Sequence, residues 1–288
     1  MNEIDPVLFR EFERAAHDRI AGSYEAFFAP ITANAAIPLL DAVHASVGTR
    51  LLDIATGPGV VAAQAARRGA RVTGIDISPQ MVALAASVSP NCAFLEADVA
   101  SLPFEPSSFD AVVCAFGIGH FPNATIALRE CGRVLAPGGR LAVAWWDLPD
   151  RNRLQGLMLE AIQDVGTRPP QSFPAGPPLF QYSEDPALVD LLGAAELRDV
   201  TVVTHSFQHR TASSQALWDG ALGSLARTSA LIHSQPADVV QRIRQAFERR
   251  TRAYTDEHGV TLPMSFKVAA GERRQPSESS TSGRNTDG

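Results

Sequence analysis

The 288-residue chain has few of the features that mark a membrane, extracellular or nucleic-acid-binding protein. No apolar run reaches the roughly 18 to 20 residues that cross a bilayer, so a membrane partner is not expected. The first thirty residues carry mixed charges and no compact apolar stretch, which argues against a secretory leader and for a cytoplasmic protein. Basic residues are outnumbered, 25 Lys and Arg against 31 Asp and Glu, for a net charge of -6. Counterion release supplies much of nucleic-acid affinity, so this balance favours a small-molecule substrate. The three cysteines, Cys92, Cys114 and Cys131, have no CxxC spacing and leave an odd count. They argue against a disulfide framework or a zinc site and read as core thiols in a reducing cytosol. No cluster of His, Cys or acids has metal-ligand spacing, and no internal repeat is present.

What remains is a chain that is 45% hydrophobic and 19% charged, enough to bury a large core. Helical spacing of apolar residues over 7–20 predicts an amphipathic helix, followed by an apolar stretch over 34–43. Short β-rich runs then alternate with helical ones: strands at 50–54, 71–75, 92–95, 109–115 and 139–145, helices near 59–68, 79–88 and 123–135. This alternation implies a parallel sheet with helices on both faces. Beyond residue 150 the pattern changes to a helix over 151–165 and a Pro/Gly-rich loop over 166–180. A helix near 185–193, a β-run over 199–207, helices over 213–232 and 236–256, and a strand over 261–269 follow. Residues 271–288 have almost nothing apolar and are expected to be a disordered tail.

The most informative segment is Leu51-Leu52-Asp53-Ile54-Ala55-Thr56-Gly57-Pro58-Gly59, a buried strand emptying into a glycine turn and a helix. Gly57 and Gly59 permit positive φ and carry no Cβ to hold a ligand away from the backbone. The free N–H groups of the next helix point at the same place. Asp53 either touches a ligand or anchors the loop. The pattern also fits a dinucleotide turn. Asp76, 17 residues beyond Gly59, ends the second strand, where a carboxylate accepts both hydroxyls of a ribose. Asp98 is read as ending the third strand, where it can accept from an adenine amino group.

With these residues in place, the ordered set DIATGPG, GIDISPQM, EADVASLPF, FDAVVCAFGIGHF and RVLAPGGRL resembles the class I S-adenosylmethionine-dependent methyltransferases of the UbiE-like, type 11 group. The resemblance is strong over roughly residues 20–150. It implies an α/β fold, a doubly wound Rossmann-like seven-stranded sheet with the last strand antiparallel and a helical cap. It also implies S-adenosyl-L-methionine as cofactor. Asp53, Ala55, Gly57 and Gly59 would border its methionine end and Asp76 its ribose. Ile77 and Met81 would flank the adenine, Asp98 with Val99 would face it, and Phe116 completes the set. The family usually has glycine where this chain has Ala55.

Methyl transfer needs an aligned acceptor, excluded water and, for a protonated nucleophile, a base. His120, beyond the fourth strand, is the candidate base or positioning residue, with Tyr24 of the N-terminal segment as a second catalytic candidate. Of Trp145 and Trp146, one is expected to face the core and the other the pocket mouth. Leu217, Trp218, Ala221, Leu222 and Leu225 suggest an apolar pocket wall, a packing face or a dimer surface, so a homodimer is left open. The acceptor expected from that composition is hydrophobic, aromatic or polyketide-like, methylated on oxygen, nitrogen or carbon. The expected organisation is a helical lid over 1–45, a cofactor core over 46–150, substrate-side elements over 151–270 and the tail. Two alternatives stay open: an NAD(P)-dependent oxidoreductase, weakened by the absence of a Tyr-x-x-x-Lys pair, and a cofactor-binding module that does not methylate.

Overall fold

The helix that opens the chain, α1 (Pro6–Phe27), starts where Asp5 accepts the backbone N–H groups of Val7 and Leu8 at 2.9 and 3.1 Å, with proline at its first position. In the computed structural model, which describes residues 4–170 and 173–274, this helix runs seven residues past its expected end. Its buried stripe is Phe9, Glu13, Ala16 and Ile20, with Ala21 beside it. A short turn α2 (Ala29–Thr32) and α3 (Ala36–Ala42) lead to the sheet.

Strands and helices then alternate as expected: β1 (Arg50–Ile54), α4 (Val60–Arg67), β2 (Arg71–Asp76), α5 (Pro79–Val88), β3 (Ala93–Glu96), β4 (Phe109–Ala115), α6 (Ala124–Val134) and β5 (Leu135–Trp146). The helix α7 (Arg153–Val165) precedes the 166–180 segment, whose described residues form neither helix nor strand. Next come α8 (Asp185–Ala194), β6 (Leu197–Thr211), α9 (Ser214–Leu222), α10 (Ala226–His233), α11 (Ala237–Thr251), β7 (Thr255–Asp256) and β8 (Gly259–Arg273).

The sheet order is β3-β2-β1-β4-β5-β8-β6, with the two-residue β7 pairing β8 off this path. The first five strands are mutually parallel, whereas β8 runs antiparallel to both β5 and β6. The chain therefore has the expected α/β, Rossmann-like sheet with an antiparallel last strand. It has eight strands where seven were expected, because a turn at Arg252–Tyr254 ends α11 early and releases β7 from the predicted 236–256 helix. The β1–β2–β3 half and the β4–β5 half run outward in opposite directions from β1. That reversal opens a crevice at the carboxyl ends of β1 and β4, where ligands of such sheets bind.

Two other expectations are corrected. The helix expected over 213–232 is two helices, broken at Gly223–Leu225 after the Gly223 N–H closes α9 onto the Asp219 and Ala221 carbonyls. The expected tail begins too early, since Gly271–Arg273 are the end of β8 inside the sheet, Gly271 opposite Leu141 of β5 and Arg273 opposite Leu197 of β6. The rest of that tail, 275–288, lies outside the described residues. Among the described residues no helix is long and apolar enough to cross a membrane. Cys114 and Cys131 are buried core thiols as expected, with burial pushing the Cys114 thiol up to about 12.

Candidate functional site

The turn after β1 is held from below. Asp53, 1% exposed, accepts the Thr56 hydroxyl at 2.7 Å and the Ala62 N–H at 3.1 Å through one oxygen, while its Oδ1 has no partner. Burial raises its pKa to about 7, against the lowering effect of those two donors, with Asp76 adding repulsion. Asp53 thus anchors the loop and does not line the cleft. Gly59 lies behind it too: at φ +80, a Cβ there would stand 3.1 Å from the Ala85 Cβ, so glycine lets α4 approach α5. Gly57, at φ +53, is different. Nothing lies within 4 Å of where its Cβ would be, and it borders an open cleft. Ala55, where the family has glycine, holds φ +51, a left-handed conformation that costs an L-residue about 1–2 kcal/mol.

Asp76 closes the turn from β2. Its Oδ2 accepts the Gly57 N–H and its Oδ1 the Ser78 N–H, each at 2.9 Å, which leaves a lone pair on each oxygen. Burial raises its pKa, partly offset by the Ser78 N–H, His17, the Gly57 N–H and His120. The Ser78 hydroxyl caps α5 through the Met81 N–H and donates to Asp18 of α1 at 2.6 Å. Arg10 of α1 pairs with Asp98 at 2.8 Å. The N-terminal helix is therefore tied to both acids' neighbourhoods, a contact that no local sequence pattern signalled.

One cleft receives Ala55, Gly57, Asp76, Ile77, Met81, Asp98, Val99 and Phe116. Eight of the ten expected cofactor residues line it, and Asp53 and Gly59 support it from behind. It continues without a break past His120 and Tyr24 to Phe28, Trp145, Trp146, Leu179 and Leu225. The expected split of the two tryptophans is not found, because the cleft wraps around the end of β5. Trp146 stacks on Phe116, centroids 3.9 Å apart, while Trp145 on the other side reaches the Leu179 carbonyl through Nε1 at 3.3 Å. Leu217, Trp218 and Ala221 are packing residues, with Trp218 against Phe247 at 5.4 Å. The break after α9 instead turns Leu225 and Ser224 toward the cleft. Ser224 is 3% exposed and its hydroxyl has no partner.

Tyr24 packs edge-on against Phe28 at 5.2 Å. Burial drives its pKa well above the ordinary tyrosine value, eased by the Thr32 hydroxyl and reinforced by Asp76, so the phenol keeps its proton. His120 sits in a turn, Ile118–His120, that Trp145 presses on. A Cβ at Gly119 would lie 2.1 Å from that indole. His120 Nδ1 lies 3.0 Å from Oε2 of Glu13, a residue the sequence reading passed over. Its signal was available, since Glu13 is the one charge on the buried stripe of α1. His17 and Arg227 complete the group: His17 Nδ1 is 3.5 Å from the Glu13 carboxylate and Arg227 Nε 3.9 Å. Glu13, His17 and His120 bring ligand-type atoms within 4.8 Å of one another, a cluster invisible as sequence spacing.

Fold and cleft together define a doubly wound α/β protein with a ligand-binding crevice at the carboxyl ends of its parallel strands, and comparison with known proteins makes the class specific. The family profile described as a methyltransferase domain matches residues 52–143. A demethylmenaquinone methyltransferase of Beutenbergia cavernae is 36% identical over 160 residues, 55% of this chain and 67% of that protein. The ubiquinone/menaquinone biosynthesis C-methyltransferase UbiE of Rhizobium rhizogenes is 40% identical over 130 residues, 41% of this chain and 50% of its own length. The crystal structure of YcgJ from Bacillus subtilis superposes with a TM-score of 0.56 at 18% identity, covering 84% of this chain and 99% of that one, a likeness of fold. The chain belongs to the class I S-adenosylmethionine-dependent methyltransferases, in the UbiE-like, type 11 group. The oxidoreductase alternative and the non-methylating one fit these findings less well. The chain spans two thirds of one of these curated relatives and half of the other.

Proposed function

We propose that this protein transfers a methyl group from S-adenosylmethionine to a hydroxyl-bearing aromatic acceptor, of which the hydroquinone rings suggested by its relatives' names are the simplest form. The observation that carries the reading is the continuity of the cleft. Its glycine-loop and acid half opens directly onto a chamber of Phe28, Phe116, Trp145, Trp146, Leu179 and Leu225. The residues present fit the cofactor: Gly57 leaves open the space a Cβ would enter, and Asp76 keeps lone pairs free beside it.

When bound, S-adenosylmethionine supplies a methyl group on a sulfonium, an electrophile that needs no metal or acid to activate it. Asp76 would accept from the ribose hydroxyls, Ile77 and Met81 would flank the adenine, and Asp98 with Val99 would close its far edge. Backbone at Ala55 and Gly57 would border the methionine end, beside Phe116. Residues 1–45 would act as a lid that excludes water from the 46–150 core. On the acceptor side the aromatic walls align a flat ring by apolar burial. Tyr24 would donate a hydrogen bond to the acceptor oxygen, and His120 would take its proton.

Two assays test this. Calorimetric titration should give saturable binding of S-adenosylmethionine and none of NAD(H); binding of NAD(H) alone would sink the cofactor assignment. Release of S-adenosylhomocysteine should appear with 1,4-dihydroxynaphthalene and not with glycine or a nucleoside. Turnover confined to the polar acceptors would remove the aromatic one.

A further inference from the structure

We propose that Glu13 and His120 act as one proton-accepting pair, with His120 the catalytic base and Glu13 its positioning residue, so that the base is complete only when α1 is seated over the cleft. The role of the pair rests on the methyl-transfer reading above. Its geometry does not.

Glu13 is 3% exposed and its Oε1 accepts no hydrogen bond, with the Arg227 guanidinium 3.9 Å away, so burying this charge is weak evidence of a stabilising role. Burial alone would neutralise it. The charge and hydrogen bond of His120, with His17 and Arg227, outweigh that and hold the carboxyl below its ordinary value. An ionised carboxylate only accepts, so when the ring is neutral the 3.0 Å contact favours the proton on His120 Nδ1 and leaves the Nε2 lone pair for the cleft. The ring is held on its other sides by His17, edge-on at 5.0 Å, and by Trp145 at 6.0 Å. In the step assigned to the pair, the acceptor O–H bond breaks and its proton forms a bond to Nε2. The electron pair stays on the acceptor, and the imidazolium is balanced by Glu13. The proton returns to water as product leaves.

A metal centre at the same three side chains is the competing reading. Against it, Arg227 Nε stands 3.9 Å from the carboxylate and only one of the three side chains is an acid. His17 Nδ1 is also engaged with the Glu13 carbonyl at 2.8 Å.

The test uses the full chain with ¹⁵N-labelled imidazoles, saturated with S-adenosylmethionine at pH 8. Two-bond ¹H–¹⁵N spectra, assigned through His120→Gln, should show His120 protonated on Nδ1, and Glu13→Leu should remove that preference. In Glu13→Gln, which keeps the shape, turnover of 1,4-dihydroxynaphthalene should fall by about 100-fold. The KM for that acceptor and the affinity for S-adenosylmethionine should stay within about threefold, because a positioning residue acts on the chemical step. A proton on Nε2 in the wild type, or an unchanged tautomer in Glu13→Leu, overturns the proposal. So does one-to-one Zn²⁺ or Fe²⁺ binding that Glu13→Gln abolishes, which would establish a metal site. If dihydroxynaphthalene is not methylated but the tautomers behave as stated, the acceptor assignment fails and the pair stands.

Discussion

The two halves of the cleft are built by different kinds of contact. On the cofactor half the bonds that shape the glycine loop are nearly local, Asp53 to Thr56 and Ala62, three and nine residues on, and Gly57 to Asp76, 19 residues apart, and only the ties to α1 are remote. On the acceptor half they join remote segments. Glu13 meets His120 across 107 residues, Ser23 meets Gly223 across 200, and Arg227 reaches the Pro177 carbonyl across 50. A half made of short loops between parallel strands can be read from motifs and resists change. One assembled from a helix, a Pro-rich segment and a helix break can be altered in its acceptor without disturbing the sheet.

The sharpest way to break this contrast is Asp76→Ala. It removes the acceptor of two backbone N–H groups and the proposed ribose contact, for an expected loss of about 3 kcal/mol, or over 100-fold in S-adenosylmethionine affinity by calorimetry. Unchanged affinity would show that the cofactor half is not where the motifs put it. Gly119→Ala should strike the other half. Its methyl group would enter Trp145, so a loss of about 1–3 kcal/mol in denaturant unfolding is expected, with cofactor affinity spared.

Asp53 gives a pH test of the loop. Its folded pKa, about 7, lies above the ordinary 3.8, so the native state binds a proton more tightly than the unfolded chain. The contribution of Asp53 should therefore be complete near pH 4 and be lost as pH rises through 7, at up to about 1.4 kcal/mol per pH unit. Asp53→Asn should flatten part of that slope between pH 5 and 8. The raised Asp76 acts in the same direction and keeps the remainder. A slope over this range that is unchanged in Asp53→Asn would contradict the assignment.

Ser224→Ala should separate folding from recognition on the acceptor half. Deleting an unpartnered buried hydroxyl should leave stability unchanged or raise it by about 1 kcal/mol, while the KM for dihydroxynaphthalene rises. A drop in stability with unchanged KM would make the serine structural. The smallest effect is expected at Ala55→Gly. Relief of the positive φ, set against the greater freedom glycine gains on unfolding, should leave a gain below about 1 kcal/mol in thermal melts.

The sequence by itself determined the α/β class, the five parallel strands with their order of helices, and eight of the residues that line the cleft. Period-two and 3.6-residue patterns, glycines that need positive φ and acids at strand ends are all properties of short segments, and α5 falls at its expected residues 79–88. It also suggested His120 and Tyr24, but not what either one faces. The tertiary structure alone decided that Asp53 supports the loop without lining the cleft, that α9 and α10 separate at Gly223, and that both tryptophans border one cavity. It alone brought His17, His120 and Arg227 around Glu13, and Arg10 to Asp98. These outcomes depend on which distant surfaces are buried together. A carboxylate on the apolar stripe of α1 looks like a lapse in amphipathic pattern until the imidazole packed against it explains why that charge is there.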